Sequence, residues 1–346
     1  HYAPHIEVEL IHDSNKPSLV VGQGTFEDAA KLLWDTLQVD WYKNPIKATP
    51  KTGILYKGWG KKKKEFFHPF PLHHVALHYD TYQLQDFIIN NIPISIESRH
   101  INSYSEVDAD YIFDCRGFPS DYEDYEELKN PVNASLLSNI DEVYHDVRWT
   151  TSQATPDGWC FIIPTTEGTS LGYLFNSNIT EEKLAEDNFR KLFGISKING
   201  RLAFKNYMAK EPIIDNRIIL NGNRLFFLEP LEATAVSTYL NWIRLTFSYI
   251  VLKEKTSKEV SRLIKQKIKQ VQNFILYHYL HGSEYDTKFW KESKKYKITD
   301  KVFYNIMKDA ISTKEPLNID YGLNNGINNY GVHQSFSFKN MHDGLV

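Results

Sequence analysis

Apolar and polar residues alternate at the start of the chain, over Ile6-Glu7-Val8-Glu9-Leu10-Ile11, and the turn-forming Asp13-Ser14-Asn15-Lys16-Pro17 follows, which predicts a strand. A second apolar run, Leu19-Val20-Val21, leads into Gly22-Gln23-Gly24-Thr25. Thr25 with Asp28 three positions later marks a helix start, and Phe26, Ala29, Ala30, Leu33 and Leu37 supply its apolar face. Strand, loop, strand, glycine-containing turn and helix make an α/β opening.

Farther on, Asp108 to Phe118 reads as a short buried strand that breaks at Gly117, and the acidic, tyrosine-rich residues 119 to 135 read as loop. Trp159 to Pro164 and Leu171 to Phe175 are strand-like runs around Thr165-Thr166-Glu167-Gly168, a hairpin signal. Thr180 is expected to cap a helix that carries Glu181 and Glu182 in its first turn and ends before Gly194. From about residue 232 the pattern is helical. Thr256 and Glu259 form a capping box, and Val260, Leu263, Ile264, Ile268, Val271 and Ile275 then recur at helical spacing until Gly282.

The 346 residues admit two domains or one large one. Forty Lys+Arg against 43 Asp+Glu leave a net charge of -3, so no global basic field exists to hold nucleic acid or an anionic membrane. An apolar content of 42% suffices for a packed core, which sets disorder aside. Aromatics are abundant, with 21 Tyr, 20 Phe and 7 Trp against only 17 Gly. Two cysteines, Cys115 and Cys160, cannot build a disulfide framework; they read as small core residues in a reducing, cytoplasmic setting. No run of 18 apolar residues occurs, so no membrane span is expected. His73, His74 and His78 carry no accompanying carboxylate motif and are read as structural, with no metal expected.

The most informative stretch is Phe227-Leu228-Glu229-Pro230-Leu231-Glu232-Ala233-Thr234-Ala235-Val236. Two carboxylates flank a Pro-Leu step before a long helix, whose unpaired N–H groups at Thr234 and Ala235 could hold an anion beside Glu232 as general base. The bland alternative is an acidic first turn that complements the helix dipole.

This segment resembles the Glu-Pro-Leu-Glu-Ser-Thr segment of flavin-dependent halogenases of the tryptophan-halogenase type. Trp159-Cys160-Phe161-Ile162-Ile163-Pro164 is similar to that family's Trp-x-Trp-x-Ile-Pro signature, with Phe161 in place of the second Trp. Ala48-Thr49-Pro50-Lys51-Thr52-Gly53-Ile54 aligns with the segment of the family's catalytic lysine. Val21-Gly22-Gln23-Gly24-Thr25 resembles its Val-Gly-Glu-Ala-Thr turn by the flavin, and Asp114-Cys115-Arg116-Gly117-Phe118 its Asp-Cys-Ser-Gly-Phe turn. The five segments stand in family order, and the likeness runs from about residue 6 to about residue 295.

The resemblance implies an α/β fold: an FAD-binding domain of the glutathione-reductase/monooxygenase-like kind with mixed sheets over residues 1–240, and a mainly helical substrate-cavity region over 241–346. It implies that FADH2, O2 and halide generate hypohalous acid, which Lys51 delivers to an indole- or phenol-like small molecule, with Glu232 as base. Thr234 and Ala235 would contact the halide, whether chloride, bromide or iodide. Gly22, Gln23, Gly24, Thr25 and Gly117 would contact FAD, and Trp159, Phe161 and Pro164 would line the path between flavin and substrate. A separate flavin reductase would supply FADH2; homo-oligomerisation stays open.

Departures from the family pattern bear on the cofactor. Its first strand and glycine-rich phosphate loop would lie before His1; His12 and Asp13 stand where an acidic residue commonly meets the adenosine ribose, Gln23 replaces a glutamate, and Phe226 a glycine. Weak FAD binding is therefore expected. Two other readings remain: a flavin-dependent aromatic monooxygenase, in which Lys51 and Glu232 have no required role, and a degenerate flavin-fold binding protein.

Overall fold

A computed structural model of the chain describes residues 6–16, 23–25, 28–70, 75–144, 146–312, 333 and 335–346. The chain opens with β1 (Glu9–His12), α1 (Asp28–Leu37), β2 (Thr49–Lys51), β3 (Gly53–Lys57), β4 (Glu65–Pro69), β5 (Ala76–His78), α2 (Thr81–Asn91) and β6 (Ser95–Ser98). Then come β7 (Ile112–Asp114), β8 (Tyr125–Glu127), β9 (Ala134–Ile140), β10 (Thr150–Thr155), β11 (Gly158–Thr165), β12 (Gly168–Phe175) and α3 (Glu182–Phe193). Five short strands follow: β13 (Gly200–Ala203), β14 (Tyr207–Ala209), β15 (Ile213–Ile214), β16 (Ile218–Leu220) and β17 (Phe226–Phe227). Helices α4 (Thr234–Ile250), α5 (Ser257–His281), α6 (Lys288–Ser293), α7 (Lys301–Ser312) and α8 (Ser335–Leu345) complete it.

A seven-stranded sheet, ordered β13-β9-β12-β11-β10-β3-β4, forms the centre. Its strands pair antiparallel except β10 with β3. Parallel pairs β1·β6 and β7·β16 give the α/β character, and β2 pairs with β5 in a ribbon of their own. The alternation of β11 divides the core. Trp159, Phe161 and Ile163 face the large cluster that α4 and α5 complete, while Cys160 faces a smaller one under α3. Pro164 is tolerated in this interior strand because β10 pairs only as far as Ile162.

The predicted hairpin and the capping box at Thr256 are present, and the stripe from Val260 to Ile275 is buried except for the half-exposed Leu263. The helical part begins at Thr234. Four local expectations need correction. The residue before α3 is Glu181, because the Thr180 hydroxyl donates instead to Asp157 Oδ1 at 3.2 Å. The acidic stretch 119–135 contains β8 and the start of β9. Cys115 lies just past β7 and is exposed, whereas Cys160 is buried. Thr25 is tied to β5, since its hydroxyl accepts from Leu77 N–H at 2.8 Å. Leu19 to Gly22 and Phe26 lie outside the described residues.

Candidate functional site

Glu232 sits in a tight turn between β17 and α4, with φ +69° there and +51° at Ala233. Neither residue is glycine, so the turn holds backbone strain of roughly 1–3 kcal/mol per residue, a kind that clusters at functional sites. The turn buries the carboxylate against three elements. Tyr56 O–H, from β3, donates to Oε1, and His278 Nε2, from α5, lies 3.0 Å from the same oxygen. His68 Nδ1, from β4, stands 3.7 Å from Oε2. Strand register explains two of these partners: Ile54 pairs with His68 and Tyr56 with Phe66, so all four share one face. Tyr56 stacks on Phe66 at 4.9 Å.

His278 Nδ1 lies 2.9 Å from Phe274 O, and a carbonyl only accepts, so Nδ1 carries a hydrogen. The Nε2 contact to Glu232 then requires one further proton shared between imidazole and carboxylate. Burial opposes ionisation of Glu232, but His68 and the hydrogen bond from His278 outweigh it and hold the carboxyl well below its usual range. With Tyr56 and His278 both on Oε1, Oε2 is the less engaged carboxylate oxygen.

Three residues earlier, Glu229 is also buried. It accepts from Tyr279 O–H at 2.7 Å and Asn130 Nδ2 at 2.9 Å on one oxygen, and from Trp159 Nε1 at 2.8 Å on the other. Burial raises its pKa despite these donors. One motif thus holds two carboxylates shifted in opposite directions, and the first pins the indole of Trp159.

Lys51 ends β2 with its side chain buried. Nζ lies 3.5 Å from Thr25 O and 5.3 Å from the centre of the Phe70 ring. A Cβ added to Gly24 would stand 3.6 Å from Nζ, an ordinary contact distance, which places this residue directly against the amine. Burial pulls the Lys51 pKa down to about 8, and Glu232 acts in the opposite sense. His78, bridged to Gly24 and held by Thr150 Oγ1 at 2.8 Å, is driven well below its usual range by burial and by Lys51.

Lys51 and Glu232, both buried, come from positions 51 and 232 and are coupled through their charges. The family model for tryptophan halogenases covers residues 1–92 and 89–310. The chain belongs to the tryptophan halogenase family. It is 24% identical over 194 residues to tryptophan 6-halogenase ThaL of Streptomyces albogriseolus, covering 54% of this chain and 35% of ThaL. It is 22% identical over 268 residues to tryptophan 7-halogenase RebH of Lentzea aerocolonigenes, covering 65% and 49%. The chain thus spans half or less of the length of these curated relatives. MibH, described as a lathipeptide tryptophan 5-halogenase, shares the fold, with a TM-score of 0.81 at 18% identity over 99% of this chain and 81% of its own.

Within this halogenase fold, the residues named from sequence fall into separate groups. Lys51, Gly24 and Thr25 are neighbours, and Lys51 couples electrostatically to Glu232. Thr234 and Ala235 open α4, whose start has no side-chain cap. Gln23 and Phe161 line a cavity of about 160 Å³ with Ser170 and Asn139, where Ser170 Oγ donates to Gln23 Oε1 at 2.8 Å. Pro164 lines another, of about 420 Å³, with Thr49, Pro50 and Arg148. Phe161 lies so close to Gly172 that a Cβ there would meet its ring at 2.1 Å.

Gly117 stands apart, just beyond the carboxyl end of β7, where parallel sheets bind their ligands. Its φ is +85°, and nothing lies within 4 Å of a would-be Cβ. Beside it, Asn221 Nδ2 reaches Cys115 Sγ at 3.4 Å, while the buried Asn221 Oδ1 has no partner. An open glycine turn and an orphaned acceptor at a parallel strand end fit part of a flavin nucleotide. Gly22 lies outside the described residues, as do His73 and His74; among the described residues no cluster is arranged to hold a metal. No described helix is long and apolar enough to cross a membrane.

Sequence reading missed Tyr56, His68, His278 and His333. The available signal was a histidine on an apolar face: His278 continues the Val271–Ile275 stripe of α5, and His68 follows Phe66 on the inward positions of β4, with the buried Phe70 just past the strand.

Proposed function

We propose that this chain halogenates an electron-rich aromatic small molecule in an FADH2-dependent reaction, with Lys51 delivering the oxidised halogen and Glu232 accepting the ring proton. The observation that carries this reading is the enclosure of Lys51 and Glu232 in one buried, electrostatically coupled site. Family membership supports it, and the named relatives act on tryptophan.

Flavin would be held at Gly117, Asn221 and the Gln23–Thr25 segment; when bound and reduced, it supplies the two-electron chemistry by which O2 oxidises halide to hypohalous acid. The uncapped N–H groups at Thr234 and Ala235 would bind the halide. Trp159, held by Glu229, and Phe161, held by Gly172, would form a rigid wall that excludes water from the path. With a pKa of about 8, Lys51 offers an appreciable fraction of neutral amine near neutral pH, able to hydrogen-bond the oxidant or bond its halogen. Attack by the ring forms a carbon–halogen bond and releases hydroxide; Oε2 of Glu232 takes the ring proton, and hydroxide leaves as water once protonated. A separate reductase would supply FADH2.

The test supplies the protein with FADH2, O2 and each of chloride, bromide and iodide, offers a panel of small arenes, and reads products by mass spectrometry. Halogenated products that disappear in Lys51→Ala support the reading. Oxygenated products independent of halide would replace it with a monooxygenase, and no product with any arene would leave a flavin-fold binding protein.

A further inference from the structure

Three imidazole nitrogens beside Glu232 are buried and make no hydrogen bond: Nδ1 of His68, which has only Glu232 Oε2 at 3.7 Å, and two with no partner at all, Nε2 of His68 and Nε2 of His333. The two residues are 3% and 1% exposed. His278, by contrast, spends both its nitrogens, on Phe274 and Glu232. The ring of His333 stacks on Phe274 at 3.8 Å, and Phe274 also meets His278 edge-on at 5.3 Å, so His333 belongs to the same packed group. His68 approaches from the opposite element, 3.7 Å from Glu232 Oε2 and in edge contact with Phe336 of α8. Each histidine feels the field of Glu232, and His333 also feels that of His68. An unsatisfied buried polar atom costs about 1–3 kcal/mol, so two of them beside a strained catalytic turn call for a ligand.

We infer that His68 and His333 form a subsite for the hydroxyl group of a phenolic substrate. The inference rests on the halogenase reading for its purpose but not for its binding chemistry. Burial pulls the pKa of His333 down to about 3, so its ring is neutral near neutral pH and offers one donor and one acceptor. A hydroxyl both donates and accepts, and can therefore bridge two imidazoles at once. An indole N–H only donates, so it satisfies one ring and leaves the other bare. A carboxylate at this place would face the charge of Glu232. The hydroxyl is also the group that enriches its ring for electrophilic halogenation. His333 lies beyond residue 310, where the family match ends, so this half of the subsite belongs to a part of the chain that the shared pattern does not reach.

The experiment measures binding by calorimetry without flavin, using 2-naphthol, its methyl ether 2-methoxynaphthalene, and indole. In the unaltered chain 2-naphthol should bind about tenfold more tightly than the ether, the worth of about one to two satisfied hydrogen bonds. Indole should not share that advantage. His333→Leu should bring the naphthol-to-ether ratio close to one, and His333→Gln, whose amide keeps a donor and an acceptor, should restore part of it. Equal affinities in the unaltered chain, a ratio untouched by His333→Leu, or no binding of any probe would overturn the subsite. Halogenation of arenes without a hydroxyl preference would sink the subsite and spare the halogenase reading; a preference in binding without halogenation would do the reverse.

Discussion

Lys51 and Glu232 are both desolvated, yet burial brings one toward its neutral form while neighbours keep the other charged. For Lys51 the folded pKa lies near 8, below its ordinary 10.5. The folded state then binds fewer protons than the unfolded chain, so this residue's contribution to stability grows as pH rises from about 8 toward 10.5. Urea titrations on either side of pH 8 should show that gain in the native chain and its absence in Lys51→Met. If the neutral amine is the working form, turnover should also climb with pH through an apparent pKa near 8, and Lys51→Met should lower it by 10²-fold or more, about the range of a positioned catalytic group. Glu232 has the same sign of slope in a more acidic window. Its depressed pKa stabilises the fold above the ordinary value of 4.5 and loses that support as acid protonates it. Glu232→Gln should cost a similar 10²- to 10⁴-fold in rate, read as product formed per minute.

The Glu229–Trp159 bond joins the turn before α4 to β11, and each end depends on the other. Trp159→Phe removes a donor from a buried carboxylate and should lower unfolding free energy by about 1–3 kcal/mol in denaturant titration. His278→Ala leaves Glu232 without its shared proton, and breaking such a buried pair costs about 3–5 kcal/mol, so it should destabilise more. The family's second tryptophan is Phe161 here, and its ring already fills the space over Gly172. Phe161→Trp should therefore overpack and destabilise by about 1–3 kcal/mol, measured in the same titration. Hairpin β11–β12, the capping box and the stripe of α5 could be read from sequence, because each rests on residues within a few positions of one another. Thr180 misleads because its hydroxyl answers to Asp157, 23 residues away, rather than to the helix it precedes.

At the scale of the whole molecule, the site escapes local reading for the same reason. Lys51, His68, Glu232, His278 and His333 stand on β2, β4, the β17–α4 turn, α5 and the approach to α8, and only tertiary packing joins them. Motif likeness could name Lys51 and Glu232, but nothing near His68 or His333 in sequence says that both lie within the field of one carboxylate. The closure of α8 over β4 is similarly long-range: a Cβ on Gly60 would strike Leu345, and one on Gly344 would strike Phe66. This dispersal has a kinetic corollary. Packing residue 68 against residue 336 requires nearly the whole chain to be in place, and folding slows as such distant contacts dominate. The β11–β12 hairpin can form early, whereas the packed group around Glu232, in which His68 meets Phe336, must wait for α8. Stopped-flow refolding should therefore bury Trp159 before amide exchange slows at Glu232, and the residues gathered round that carboxylate would be the last part of the protein to assemble.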